Sequence, residues 1–176
     1  EGMVELRTPL LGPYNVLNVA GAAALALEVG VDGKDLARAV REMAQVPGRF
    51  ERVAKREEYG FEVIVDYAHT DVGLEAVLKV ARGAANAASV NGHAGRVICV
   101  FGAAGDRDRA KRPRMGRVAS SLADVSIVTT DDAYSESPEK IAFEVAAGSE
   151  PGRTEVILDR RAAISRALAE AREGDV

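Results

Sequence analysis

Two apolar runs in this chain end abruptly in charged side chains. Residues 61–65 lead directly into Asp66 and His69, and residues 97–101 lead into a loop that contains Arg107. In an open α/β sheet, ligands bind beyond the carboxyl ends of the strands. If both runs are strands of one sheet, these side chains lie at its ligand-binding edge. The sequence therefore predicts a site there.

The spacing of Asp66 and His69 leaves two interpretations open. Asp66 could accept hydrogen bonds from ribose hydroxyls, while His69 could face a phosphate or a reacting group. Alternatively, Asp66 caps the helix that follows, and His69 is bonded within its own loop. Spacing alone does not choose between these interpretations.

The loop at residues 102–114 begins with small residues and continues with acids and arginines. Small residues let the backbone approach a ligand closely, and arginines can bind carboxylate or phosphate through two parallel hydrogen bonds. The loop matches neither a Gly-x-Gly-x-x-Gly nor a Walker A sequence. A solvated loop of mutually paired Asp and Arg residues is the alternative, but the position at the sheet edge favours binding.

A third apolar run is followed by Asp131, Asp132 and Tyr134. Paired acids at that point could receive an ammonium group. The same segment contains Ser137, which is predicted to cap the helix opened by Pro138. Both interpretations can hold together, because different residues carry them.

Three other residues have simple structural explanations when only spacing is considered. Asn15 and Asn18 lie three residues apart at a predicted helix start, and two amides on one face can pair with a base edge. Helix capping explains Asn15 equally well. Arg49 follows a Pro-Gly pair and, on spacing alone, is a solvated linker residue.

The hydrophobic pattern predicts the elements that position these residues. We expect a helix at residues 16–29, apolar on nearly all sides and therefore buried on most faces, and a second helix from residue 32 or 33. Beyond a break at residues 46–48, the predicted strands are 51–55, 61–66, 96–101, 125–129 and 155–158. The predicted helices there are 72–87, 111–122, 138–147 and 160–172. This alternation indicates an α/β fold with a mostly parallel sheet flanked by helices.

Composition restricts the class of protein. With 47% hydrophobic and 28% charged residues, the chain can bury a core. Its net charge of -4 favours no nucleic-acid partner, and no apolar run is long enough to predict a membrane span. The single cysteine, Cys99, indicates a reducing compartment, so a cytoplasmic protein is expected. Neither His93 nor Cys99 has a partner at metal-ligand spacing, so no metal site is predicted.

Five segments together resemble the Mur ligase family, in the order and at the spacing found there. They are residues 14–18, 47–51, 65–70, 101–113 and 129–138. The resemblance is strongest to members that add the third residue of the peptidoglycan stem peptide. It implies that residues 1–48 are a helical remnant of the central ATP-binding domain. Residues 49–176 would be a Rossmann-like C-terminal domain, truncated at its end.

The resemblance also implies roles for the candidate residues. Five of them would contact the nucleotide: Asn15, Asn18, Arg49, Asp66 and Tyr67. The asparagines would lie near the adenine, and Arg49 and Asp66 would hold the ribose and a neighbouring phosphate. His69 is the catalytic candidate beside the nucleotide.

On the amino-acid side, the resemblance implies a pocket that binds both ends of the incoming substrate. Arg107 would bind its carboxylate, and the segment with Asp131 and Asp132 would meet its α-amino and side-chain ends. Members that use meso-diaminopimelate carry Asp-Asn-Pro-Arg where this chain has Asp131-Asp132-Ala133-Tyr134, so Tyr134 replaces the arginine that grips the distal carboxylate there. A phenol cannot form the two-pronged ion pair of an arginine. The hypothesis is therefore that the added residue is a diamino acid such as lysine or ornithine, or that the protein is a divergent paralogue.

The implied reaction is ATP-driven amide formation through an acyl phosphate. Its partners would be a UDP-N-acetylmuramoyl-dipeptide, an amino acid and the remainder of the same chain. No Gly-Lys-Thr phosphate loop occurs in the sequence, so Mg²⁺ ligands are expected elsewhere and this chain alone is predicted to be inactive. Asp71 stands where members have proline, which predicts a looser turn after His69. The alternatives are a non-catalytic nucleotide-binding module and a folylpolyglutamate synthetase-like ligase.

Overall fold

The computed structural model describes residues 3–88 and 94–176, which form two compact units. Unit 1 comprises Glu1–Glu51 with Val65–Tyr67, and unit 2 comprises Arg52–Ile64 with Ala68–Val176. His93 lies outside the described residues. Within the described ranges, no helix is long and apolar enough to cross a membrane.

The secondary structure follows the predicted alternation. The helices are α1 (Pro13–Glu28), α2 (Gly33–Glu42), α3 (Arg56–Tyr59), α4 (Asp71–Ala87), α5 (Lys111–Leu122), α6 (Pro138–Ala146) and α7 (Arg160–Glu170). The strands are β1 (Glu51–Ala54), β2 (Val63–Val65), β3 (Ile98–Phe101), β4 (Val125–Val128) and β5 (Thr154–Val156). The short helix α3 was not predicted.

Unit 1 is built on a pair of helices. Their buried contacts come from Val19 and Ala23 of α1 and Leu36 and Val40 of α2. Asp32 caps α2, because its carboxylate accepts the N–H of Lys34 at 2.8 Å. The apolar stripes of the two helices therefore pack together in one buried cluster.

Two expectations for α1 are wrong. The helix begins at Pro13, which suits the first turn because proline has no N–H to satisfy, so Asn15 lies inside the helix and does not cap it. Only one stripe of α1 is buried: Leu17 and Leu25 are 73% and 71% exposed. Helix α1, which is apolar on nearly all sides, therefore exposes a large apolar surface in this chain.

Unit 2 contains the parallel sheet that the sequence predicts. Strands β3, β4 and β5 are neighbours in that order, with Ile98 opposite Val125 and Val128 opposite Val156. Helices α4, α5 and α6 pack on this sheet through a shared core that includes Leu78 and Met115. The predicted fold class, an α/β fold with a parallel sheet flanked by helices, is confirmed.

A separate pair of strands, β1 and β2, is joined to this sheet by residues 174–176. The N–H of Glu62 donates to the carbonyl of Asp175 at 3.0 Å, and the N–H of Ile98 donates to the carbonyl of Val176 at 2.9 Å. The buried Asp175 carboxylate accepts the backbone N–H of Arg96 at 2.7 Å and pairs with its guanidinium at 2.8 Å. The segment therefore bonds to backbone on both of its sides within unit 2.

Candidate functional site

The nucleotide-side candidates of unit 1 are held together by two backbone bonds. The N–H of Phe50 donates to the Asp66 carboxylate at 2.7 Å, and the N–H of Tyr67 donates to the carbonyl of Gly48 at 2.7 Å. The guanidinium carbon of Arg49 lies 5.0 Å from the centre of the Tyr67 ring. Arg49, Asp66 and Tyr67 therefore form one cluster, and Arg49 is more than a solvated linker residue.

The capping alternative for Asp66 is wrong. Helix α4 is capped by Thr70, whose hydroxyl accepts the N–H of Gly73 at 3.1 Å. Asp66 instead fixes the turn at Phe50, a buried residue with a left-handed backbone (φ 49°). One oxygen of its carboxylate, Oδ2, thus helps to shape the segment that carries Arg49.

The start of α1 belongs to the same unit and lies within electrostatic range of Asp66. Burial, with a smaller contribution from the Asp66 charge, raises the pKa of Tyr14 to about 12. Next to Tyr14, Asn15 is buried and its amide donates to the carbonyl of Leu11 at 2.7 Å. Asn18 is exposed, and its amide nitrogen lies 3.5 Å from the Asn15 amide oxygen. Asn18 therefore presents an amide that a ligand can reach.

His69 lies in unit 2, where two basic residues at the start of α5 hold its segment. The buried Lys111 donates through Nζ to the carbonyl of His69 at 2.8 Å. Arg114 pairs with Asp71 through Nε at 2.8 Å. Asp71 therefore forms an ion pair in the position where a looser turn was expected. The His69 side chain itself is exposed.

The amino-acid-side candidates lie on the loops after β3 and β4. Because the two strands are parallel neighbours, both loops leave the same edge of the sheet. The N–H of Gly105 donates to the carbonyl of Asp132 at 2.8 Å, and a Cβ at Gly105 would collide with the carbonyl oxygen of Ala133. This contact explains why a small residue is required there.

Arg107 and Tyr134 form an exposed pair between these loops. The guanidinium carbon of Arg107 lies 5.1 Å from the centre of the Tyr134 ring. Asp131 and Asp132 are exposed on the same loop as Tyr134, and the Asp131 carboxylate accepts the N–H of Asp132 at 2.9 Å. The structure thus brings all four amino-acid-side candidates onto two joined loops.

A buried ion pair that sequence reasoning did not assign lies within this region. Arg112 is fully buried and donates to both oxygens of Glu136, at 2.8 and 3.0 Å, and to Glu144 at 2.6 Å. Bonds from Arg112, followed by the N–H of Asp106, lower the pKa of Glu136 to about 2. Glu136 is therefore ionised throughout the physiological pH range.

One sequence signal could have revealed Arg112. It stands three, four and seven residues before Met115, Gly116 and Ala119, which are all buried. An arginine on the buried face of a helix needs a carboxylate partner, because an unpaired charge is costly to bury. The position of that partner depends on the fold and could not be predicted from spacing.

Comparison with known proteins identifies the family. Residues 48–176 match the family model described as "Mur ligase, glutamate ligase domain". The chain belongs to the Mur ligase family. This confirms the resemblance predicted from the five segments, and the matched range contains most of the candidate residues.

The curated relatives of this Mur ligase chain are named diaminopimelate ligases. The UDP-N-acetylmuramoyl-L-alanyl-D-glutamate–2,6-diaminopimelate ligase of Trichormus variabilis is 44% identical over 99% of this chain. A ligase of the same name from Clostridium botulinum is 42% identical over 94% of it. The chain spans about a third of the length of these relatives, 34% and 32% respectively.

Solved structures agree with this assignment. A ligase structure with the same diaminopimelate name superposes with a TM-score of 0.62 at 35% identity, over 97% of this chain and 33% of that one. A folylpolyglutamate synthase/dihydrofolate synthase from Yersinia pestis, in complex with AMPPNP and Mn, gives a TM-score of 0.72 at 19% identity, over 99% of this chain and 37% of that one. The second likeness shows a shared fold only.

Proposed function

We propose that this chain is the part of an ATP-dependent ligase that holds the adenosine and the incoming amino acid. The whole enzyme would join that amino acid to a UDP-N-acetylmuramoyl-dipeptide in peptidoglycan synthesis. The observation that carries the proposal is the pair of joined loops after β3 and β4, which present Arg107, Tyr134 and two carboxylates together. The names and identity of the relatives support the same reaction class.

The chemistry of unit 1 fits an adenine nucleotide. Asn18 presents an exposed amide for a base edge, Asp66 offers carboxylate oxygens for ribose hydroxyls, and Arg49 offers a cation for a phosphate. ATP would supply the phosphoryl group that activates the acceptor's carboxylate. The role of this chain would be to bind and orient the nucleoside, because phosphoryl transfer depends mainly on positioning and charge neutralisation.

We propose that the catalytic residue lies in this chain and that the metal ligands lie elsewhere in the whole protein. His69 remains the catalytic candidate, since its side chain is exposed and its backbone is fixed by Lys111. Mg²⁺ ligands are proposed to lie outside these 176 residues, which contain no Gly-Lys-Thr phosphate loop. The chain alone would therefore bind ligands without turnover. We propose that the reaction takes place in the cytoplasm.

We infer a diamino acid as the added substrate. Arg107 would bind its α-carboxylate, and Asp131 and Asp132 would face its amino groups. Tyr134 offers no charge to a second carboxylate, which favours lysine or ornithine. The names of the relatives favour diaminopimelate, so it is the second candidate.

The deciding experiment is an amino-acid panel on the full-length enzyme. Formation of ADP and of the UDP-linked tripeptide would be measured with lysine, ornithine, meso-diaminopimelate and glutamate. We expect lysine or ornithine to react fastest and the Tyr134→Arg variant to gain activity with diaminopimelate. Faster ligation of diaminopimelate by the unmodified enzyme would overturn the inference that lysine or ornithine is the substrate. It would leave the proposal that the protein is a ligase unchanged.

Two additional assays of the same enzyme, ADP binding by calorimetry and ligation with a folate acceptor, test for a different reaction class. No ligation with any amino acid, together with retained ADP binding, would indicate a nucleotide-binding module. Ligation of glutamate to a folate acceptor would indicate a folylpolyglutamate synthetase-like enzyme.

The division at residues 48 and 49 into two domain pieces is part of this proposal. It is supported by the family model, which begins at residue 48, and by the exposed apolar surface of α1. Residues 1–48 would then be the last part of a central ATP-binding domain. In the whole protein, α1 would pack against the rest of that domain.

A further inference from the structure

We propose that Glu136 is a positioning residue for the amino-acid pocket, acting through the N–H of Asp106 to fix Arg107 beside Tyr134. This inference rests on the proposed function, because it deepens the role of the same two loops. None of the comparisons assigns a role to Glu136 or Asp106. Neither residue is proposed to touch the substrate.

The two loops are held by a reciprocal pair of carboxylates. Glu136 of the second loop accepts the N–H of Asp106 in the first loop at 2.7 Å. Asp106 in turn accepts the hydroxyl and the N–H of Ser135 at 2.7 and 3.0 Å. Each loop therefore holds the residue adjacent to the pocket pair in the other loop, since Arg107 follows Asp106 and Tyr134 precedes Ser135.

The backbone at these positions is unusual, which shows that the loops are strongly constrained. Asp106 and Tyr134 both have left-handed backbones, with φ of 50° and 49°. Side-chain-bearing residues rarely adopt this conformation, and it persists only where surrounding contacts impose it. Tyr134 is one member of the Arg107–Tyr134 contact, and Asp106 directly precedes the other member.

Glu136 is in turn held by the buried Arg112. The side chain of Arg112 has no exposed surface, and the side chain of Glu136 is only 8% exposed. Arg109 adds a further ion pair to Glu136 at 2.8 Å. A buried ion pair is often no more stabilising than apolar residues of similar volume. Its value here lies in directing one carboxylate oxygen at the Asp106 N–H.

Glu144 provides a matched control. It also pairs with the buried Arg112, at 2.6 Å, and it lies on α6 outside the two loops. Glu136→Ala and Glu144→Ala therefore each remove one carboxylate from the same arginine. Only the first removes the bond to Asp106.

The experiment compares steady-state constants of the full-length enzyme. We expect Glu136→Ala to raise the KM for the amino acid about tenfold or more, since small misplacements of binding groups cost that much. The KM for ATP should stay unchanged. Glu136→Gln, which keeps an oxygen for the Asp106 N–H, should recover part of the loss, and Glu144→Ala should stay within about threefold of the unmodified enzyme.

A milder variant covers the case in which Glu136→Ala does not fold. Ser135→Ala removes only the hydroxyl bond to Asp106 from an exposed position, and it should raise the amino-acid KM in the same direction by a smaller factor. Equal effects of Glu136→Ala and Glu144→Ala, or an equal rise in both KM values, would overturn the positioning role.

The same measurements separate this proposal from the function on which it rests. An active unmodified enzyme with an unaffected Glu136→Ala variant sinks the positioning role alone. An unmodified enzyme that neither ligates nor binds any amino acid by calorimetry sinks both. If it binds without ligating, the affinities of the Glu136→Ala and Glu144→Ala variants decide the positioning role.

Discussion

At the level of single residues, both units present the same kind of contact to solvent. Arg49 stands 5.0 Å over Tyr67 in unit 1, and Arg107 stands 5.1 Å over Tyr134 in unit 2. An exposed contact between a cation and an aromatic ring is worth only about 0.5–1 kcal/mol. In the proposed function, the ring would pre-orient each guanidinium and release it at little cost to the phosphate or carboxylate.

This argument predicts that Arg49 contributes directly to nucleotide binding. Arg49→Ala should weaken ADP binding by about tenfold or more, because a charge-assisted hydrogen bond contributes about 1.5–3 kcal/mol. Calorimetry of the full-length protein with ADP measures the effect. Arg41→Ala, which removes an exposed arginine from α2 of the same unit, is the matched control. An ADP affinity that is equal in both variants would contradict the role of Arg49.

At the level of elements, the bonds made by residues 174–176 predict that the stability of the fold depends strongly on one carboxylate, that of Asp175. Asp175 is buried, pairs with Arg96 and accepts the backbone N–H groups of Arg96 and Arg172 at 2.7 and 3.0 Å. Asp175→Ala should lower the free energy of unfolding by about 3 kcal/mol, because two backbone N–H groups lose their acceptor and the partly buried Arg96 loses one of its two acidic partners. Urea unfolding of this chain measures the loss.

The control for Asp175 is an exposed ion pair elsewhere in the chain. Asp35 pairs with Arg38 on the surface of α2, so Asp35→Ala should cost less than about 1 kcal/mol. If the two variants lost the same stability, residues 174–176 would not be the link between β2 and β3 that the bonds indicate.

The elements also show how far the sequence alone could lead. Helices α4 to α6 and strands β3 to β5 were predicted closely, because strict alternation of apolar runs identifies them. The predicted Ser137 cap is confirmed by its bond to the N–H of Lys140. The link at residues 174–176 was missed, because three residues without a hydrophobic pattern carry no strand signal.

The candidate site was predictable in part for the same reason. Arg107 and Asp131 could be located because they follow β3 and β4, parallel neighbours whose carboxyl ends lie at one edge of the sheet. The expectation that residues 61–65 belong to the same sheet is wrong, because β2 pairs with β1 in a separate two-stranded sheet. What holds the candidate residues could not be predicted: the Phe50 N–H on Asp66 and the Glu136 carboxylate on Asp106 are long-range contacts. Spacing finds the groups that bind, and only the fold shows how they are constrained.

At the level of the whole molecule, the apolar surface of α1 predicts that substitutions on this helix affect this chain and the full-length enzyme differently. Leu17 and Leu25 are mostly exposed here, whereas the proposed central domain would cover them. Changing both to lysine should reduce self-association of this chain, measured by light scattering. In the full-length enzyme the same change should lower the melting temperature by several degrees, because charges would enter a buried face.

The comparison variant changes one exposed leucine on another helix. Leu168, on α7 of unit 2, is 44% exposed. Leu168→Lys should leave the melting temperature of the full-length enzyme nearly unchanged. If the α1 double variant also left it unchanged, residues 1–48 would not pack in a central domain as proposed.

The position of residues 174–176 also has a consequence for biosynthesis. Their backbone bonds reach residues 60–62 and 96–98, which the ribosome makes more than 75 residues earlier. Contacts between segments so distant in sequence are slow to form. The nascent chain therefore emerges with two strand edges unpaired, and it must avoid aggregation until this late segment closes them.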